Sequence, residues 1–202
     1  MILFNIGYGQ SIYLKTSIGI TDNELFKTPA TLGFGYNQNF KKFEINAELQ
    51  FSKFKTNSIK EFEFDMINQY MVLCGTSVKT KTYSIEITPL FYIKKNDYVS
   101  ISLGPTLGAS SFDGVMKKYY YPINGQEEKR EKIYLDKNIK PSFGFMFKTD
   151  IKQIMIKKIS MFLIVAPKFY YLHKRVLDGS SAIGPSSIIW TSFGIGLKYD
   201  LK

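Results

Sequence analysis

The side chains of this chain that could do chemistry fall into two groups. The first is a set of charges, Glu44, Glu48 and Glu86 against Lys140, Lys148, Lys168, Lys198 and Asp200. Most of them stand among Gly, Ser, Thr and Asn, with apolar residues at the alternate positions. The second is His173, the only histidine, with Ser180, Ser181, Ser186 and Ser187 following within fifteen residues. A histidine beside a serine is the minimum for a base and a nucleophile. The plainer reading of His173 is a residue at the base of a loop, because Lys174 and Arg175 follow it directly. Cys74 is alone, so an internal disulfide and a cysteine-based metal site are both excluded. No metal ligands and no cofactor are expected.

The elements that must position these residues are legible in their spacing. From Ile189 to Leu201 the odd positions are Ile189, Thr191, Phe193, Ile195, Leu197, Tyr199 and Leu201. The even ones are Trp190, Ser192, Gly194, Gly196, Lys198 and Asp200. Side chains alternate across a β-strand, so this segment has a large apolar face and a small or charged one; a helix would mix them. The same split predicts strands over Leu3–Lys15, Thr28–Phe40, Phe43–Phe54, Thr82–Lys94, Tyr98–Ser110 and Ile139–Thr149. In the first of these Ile12 and Leu14 oppose Tyr13 and Lys15, and a loop at Asp22–Glu24 follows. The stretch Ile159–His173 is apolar on both sides in its first half, which leaves its facing open.

Two longer segments read as hairpins that leave the main body. Lys55–Lys81 contains the alternating run Glu61-Phe62-Glu63-Phe64-Asp65. Ser111–Lys137 centres on the turn dipeptide Asn124-Gly125 and is predicted to continue its neighbouring strands as a ribbon. Its Lys129, Arg130 and Lys132 are offset by Glu127, Glu128 and Glu131. Eight strands are expected, with ten as the alternative should the first hairpin join the main sheet.

At 202 residues, with no boundary or repeat, residues 1–202 read as one all-β domain. No run of about 18 apolar residues occurs, which excludes a transmembrane helix and leaves a membrane barrel open. The formal charge of +10 comes from lysines scattered through predicted turns. The aromatics lie on an apolar face, without an interleaved basic stripe, so nucleic acid is not expected as a partner. The chain enters its first strand almost at once, near Ile2, which suggests that a leader has been removed.

Connections alternate in length, being long after the odd-numbered strands and short after the even ones. An up-and-down antiparallel barrel with both termini at one rim would produce this. Its polar face is too rich in Gly, Ser, Thr and Asn for a wet exterior and suits a narrow lumen. Its apolar runs of about 9 to 13 residues can cross a bilayer as tilted strands, with Phe40, Phe43, Tyr83 and Tyr199 near their ends. A soluble lipid-binding barrel, with the faces reversed, is the fold-level alternative.

Over essentially its whole length the chain resembles the eight-stranded outer-membrane β-barrels of the OmpA, OmpX and opacity-protein type. Ser192, Gly194, Leu197 and Tyr199 stand where that family's assembly signal has its polar, glycine and hydrophobic residues, although this chain continues to Lys202. The resemblance implies short periplasmic turns, long extracellular loops and a place in the outer membrane of a Gram-negative bacterium. It also implies outer-membrane lipids, lipopolysaccharide, the barrel assembly machinery and a surface ligand at the loops as partners, with a monomeric chain. On this reading the protein is non-enzymatic, and Glu44, Glu48, Glu86, Lys140, Lys148, Lys168 and Lys198 form a polar network that plugs the lumen. Two alternatives stand beside it, a lipid A-modifying enzyme and a small ion-conducting pore. The enzyme would look to His173, but the His-x-Ser-Asn run of the lipid A deacylases is absent. Pro89, Pro105, Pro141 and Pro167 fall within strands and predict bulges or strand ends. A sharper expectation is a gap in the ladder that admits lipid sideways, as in the related palmitoyltransferase barrels.

Overall fold

A computed structural model describes residues 9–21, 29–55, 59–65, 70–121, 129–134, 139–152, 158–171 and 187–201. Within them are ten strands: β1 (Gln10–Thr21), β2 (Ala30–Asn39), β3 (Phe43–Lys55), β4 (Ile59–Asp65), β5 (Tyr70–Lys95), β6 (Val99–Tyr121), β7 (Lys129–Tyr134), β8 (Ile139–Ile151), β9 (Ile159–Tyr171) and β10 (Ser187–Asp200). Each pairs antiparallel with its neighbours. Eight of them close a ring, β1-β2-β3-β5-β6-β8-β9-β10, in which β10 returns to β1 from Ser11↔Asp200 to Thr21↔Trp190. The seam carries a further backbone bond from Leu201 N–H to the Gln10 carbonyl, 2.7 Å.

β4 and β7 stay outside the ring. β5 and β6 remain paired up to Leu73↔Tyr121, well past the barrel, and β4 and β7 flank those extensions. The barrel therefore has the eight strands expected, without the ten-strand alternative, and it carries a four-strand sheet, β4-β5-β6-β7, beyond one rim. The opposite rim holds the short turns. At residues 96–98 the Asn96 side-chain oxygen accepts from Tyr98 N–H and Val99 N–H at 3.0 and 2.7 Å, which sets the bend.

Along every ring strand the apolar set faces out. Leu14, Ile18, Ile20, Leu32, Phe34, Leu49, Ile85, Ile87, Leu107 and Leu197 are all more than half exposed. The inward set is mostly small and polar, with an apolar group and buried rings among it. A soluble barrel would bury the first set, so this is a transmembrane barrel. From Ile12 to Ile20 the outward run covers about 27 Å of strand, or roughly 20 Å along the membrane normal at a tilt near 40°.

The first strand runs past its expected end at Lys15. Within the described residues it spans Gln10–Thr21, because Thr16 to Ile20 continue the alternation, with Ile18 and Ile20 outside and Ser17 and Gly19 inside. Residues 3–8 lie outside the described residues. β9 resolves its open facing with Phe162, Ile164, Ala166, Lys168 and Tyr170 inward.

The prolines fall on one row. Pro89 stands opposite Pro105 in the β5–β6 register, Pro105 opposite Phe145 in β6–β8, and Phe145 opposite Pro167 in β8–β9. The β5–β6 ladder breaks between Ile87↔Leu107 and Phe91↔Leu103, and the β8–β9 ladder between Gly144↔Lys168 and Phe147↔Val165. Proline has no N–H to give a ladder, so both breaks have a covalent cause. Pro141 interrupts nothing and pairs with Ala109.

Candidate functional site

The buried charges of the lumen balance. Among the described residues the buried carboxylates are Glu44, Glu48, Glu86 and Asp150, and the buried ammonium groups are those of Lys15, Lys148, Lys168 and Lys198. Four meet four. Near the short-turn rim, Lys148 reaches Glu44 at 2.6 Å and Asp150 at 3.3 Å, and Lys198 reaches Asp150 at 2.7 Å. Glu44 also accepts from Asn37 Nδ2 and from the Tyr92 hydroxyl at 3.0 and 3.1 Å, and Ser100 donates to Asp150 at 3.2 Å.

A second polar group lies further along the lumen. Lys15 meets Glu48 at 2.6 Å, and the Tyr13 hydroxyl donates to the other Glu48 oxygen at 2.8 Å. Lys168 holds both oxygens of Glu86, at 2.7 and 2.5 Å, and Gln50 donates to the same carboxylate. An apolar cluster of Tyr13, Leu90, Met146, Phe162, Ile164 and Ala166 is interleaved with these charges, Leu90 standing opposite Glu44, Ile164 opposite Lys148, Phe162 opposite Asp150 and Tyr13 opposite Lys198. Leu90 follows Glu86 along β5 and precedes Tyr92, while Ala166 stands two residues from Lys168 on β9. That inner cluster is why β9 is apolar on both faces.

Toward the far rim the lumen is capped by rings. Tyr170 lies 5.3 Å from Trp190 and meets Phe112 edge-on at 5.8 Å, all three buried. The glycines of the inward face make room for such bulk. A side chain at Gly19 would overlap the Trp190 indole, and one at Gly35 would overlap the Tyr13 ring.

Of the residues expected on the polar face, Glu44, Glu48, Glu86, Lys148, Lys168 and Lys198 are buried in these pairs. Lys140 is half-buried at the far rim, opposite Ser110, and Asp200 is half-buried at the near one. The geometry adds Lys15, Asp150, Gln50, Tyr13 and Tyr92. Asp150 was hidden because an Asp two residues before Lys152 reads as a turn, yet β8 runs on to Ile151. Alternation from Lys148 would have found it. His173, Ser180, Ser181 and Ser186 lie outside the described residues, and Ser187 opens β10 opposite Tyr171. Among the described residues no group of three or more His, Cys, Asp or Glu could hold a metal.

Fold and lumen together define a transmembrane β-barrel with an ion-paired interior, the fold of the small outer-membrane barrels. A major outer membrane protein from Thermus thermophilus superposes with a TM-score of 0.55 at 10% identity, over 95% of this chain and 99% of that one. Neisserial surface protein A gives 0.46 at 9% identity, over 94% and 96%. Ail, the attachment invasion locus protein of Yersinia pestis, gives 0.43 at 16%, over 96% and 97%. No protein-family model matches the chain, and no curated protein matches it by sequence.

Proposed function

We propose that this chain is a non-enzymatic surface barrel of a Gram-negative outer membrane, monomeric, with its lumen plugged and its interactions carried by the sheet beyond the barrel. The short-turn rim then faces the periplasm and the β4–β7 sheet faces the exterior, the usual disposition of such barrels. The partners are outer-membrane lipids, lipopolysaccharide and a surface ligand, with the barrel assembly machinery acting on the β10 signal.

The observation that carries this reading is the inside-out surface around a charge-neutral interior. Buried charges are tolerated only when paired. Here the excess of ten positive charges lies outside the four buried pairs, so the lumen offers no fixed field to draw one sign of ion. Eight strands also leave an interior just wide enough for side chains.

Refolding into detergent tests the membrane reading. The folded protein should migrate differently in electrophoresis before and after boiling; a monodisperse protein in plain buffer would overturn it. In a planar bilayer the same protein should give no steady conductance, and stepwise ion currents would make it a pore. Lipid A mass spectra of cells with and without the protein should be identical; a new acylation state would return the enzyme.

A further inference from the structure

We propose that the outer wall of β3 and β5, just beyond the apolar belt, binds the phosphate of an outer-leaflet lipid through Lys53, Lys79 and Lys81. This rests on the orientation given above, which turns that rim to the exterior.

The cross-strand register carries the argument. On the outward face Phe51 stands opposite Tyr83, with ring centroids 5.3 Å apart, as the last aromatic pair of the belt between these strands. The next outward pair is Lys53 opposite Lys81, and the pair after that in the register is Lys55 opposite Lys79. Lys53, Lys79 and Lys81 are all exposed. Like charges directly opposite one another destabilise a sheet, and their side chains leave the backbone only about 5 Å apart. Lys53 and Lys81 are such a pair, and Lys79 follows two residues along β5 on the same exposed face.

The neighbours relieve this in part, at Lys81 alone. Lys53 faces Ala30 on its other side, and Lys79 faces Val115. Asp113 stands opposite Lys81 and is the one carboxylate on this outer face among the described residues. Further along, Lys117 pairs with Lys132, which repeats the like-charge arrangement.

An anion seated between the lysines turns the repulsion into attraction. The height of the site selects the anion. The lysines begin one residue pair beyond Phe51 and Tyr83, where headgroups meet acyl chains, and long lysine stems can lie along the belt while their ends rise. A phosphate tied to acyl chains buried against Phe51, Leu49 and Ile85 satisfies both halves of the surface, the apolar one being already exposed there. A soluble polyanion would satisfy only one. Lysine binds phosphate as a point charge and needs no bidentate geometry.

The test uses the full chain refolded in detergent, with diphosphoryl lipid A and its dephosphorylated form as probes, read by native mass spectrometry. The wild type should retain the diphosphoryl form and lose the other. The variant K53Q/K79Q/K81Q should keep its heat-modifiable band and hold diphosphoryl lipid A about a hundredfold more weakly, as three juxtamembrane lysines imply. Equal retention by the folded variant overturns the site alone, as does equal retention of the dephosphorylated lipid. Displacement of the lipid by millimolar inorganic phosphate would reassign the lysines to a soluble ligand. A wild type without a heat-modifiable band would instead remove the membrane reading and this site with it.

Discussion

Glu86 is the best single residue on which to judge the lumen. Its carboxylate takes both bonds from Lys168 and one from Gln50, all three residues buried, and solvent cannot repair a loss there. Glu86→Ala leaves the Lys168 ammonium buried without its partner and should cost about 3–5 kcal/mol, read as a lowered urea midpoint in lipid vesicles. The paired change Glu86→Leu with Lys168→Met removes both charges together and should restore most of that loss. A double variant as unstable as the single would mean that shape, and not charge, sets the stability of this layer. Tyr13→Phe is a milder case, since it deletes one hydrogen bond to Glu48. It should cost about 1.5–3 kcal/mol by the same measurement, the range for a bond to a charged acceptor.

At the level of strands, the proline row makes β6 and β8 a unit. These two are bonded to each other from Val99↔Ile151 to Ser111↔Ile139, but the ladders on both outer sides are broken at the same height. Deuterium exchange in micelles should therefore be faster at Phe145, whose N–H faces Pro167, and at Ile87, Phe91, Leu103 and Leu107, which flank the gap between Pro89 and Pro105, than at Ile45 to Gln50 or Leu14 to Ile18. Uniform protection along β5, β6, β8 and β9 would show that the breaks carry no local opening. The row was half visible in the sequence. Each proline could be placed in a strand, but their common height depends on register, which single-strand alternation does not encode. Facing was legible for the same reason that register was not, since a period of two survives in every strand except β9. There the inner face holds Phe162, Ile164 and Ala166, and an apolar lumen layer erases the contrast. The first strand outran its expected end because Thr16 and Ser17 look like the polar start of a loop, whereas in place Thr16 faces out between Leu14 and Ile18 and Ser17 faces in, both paired with β10.

For the molecule as a whole, the division that matters is between a barrel that closes by itself and a sheet that stands on it. Every ring strand finds both neighbours below the level of Lys55↔Lys79, whereas β4 pairs only with the β5 extension. The barrel should not need that extension. Lys55 and Lys79 are directly opposite, so replacing residues 56–78 by Asn-Gly gives β3 and β5 a two-residue hairpin whose twist suits antiparallel strands. Ion pairs, inner apolar cluster and aromatic cap all lie outside the deleted segment, and they should persist. The shortened chain should still shift on boiling in electrophoresis and should remain closed in a planar bilayer, while losing whatever surface ligand the sheet engages. If it instead fails to fold, the tall β5–β6 pair is part of the closure, and the sheet serves the barrel before it serves the surface. Lys53 and Lys81 survive the deletion and Lys79 becomes the first residue after the turn. Retention of diphosphoryl lipid A by this shortened form would then separate the lipid site on the wall from any ligand held above it.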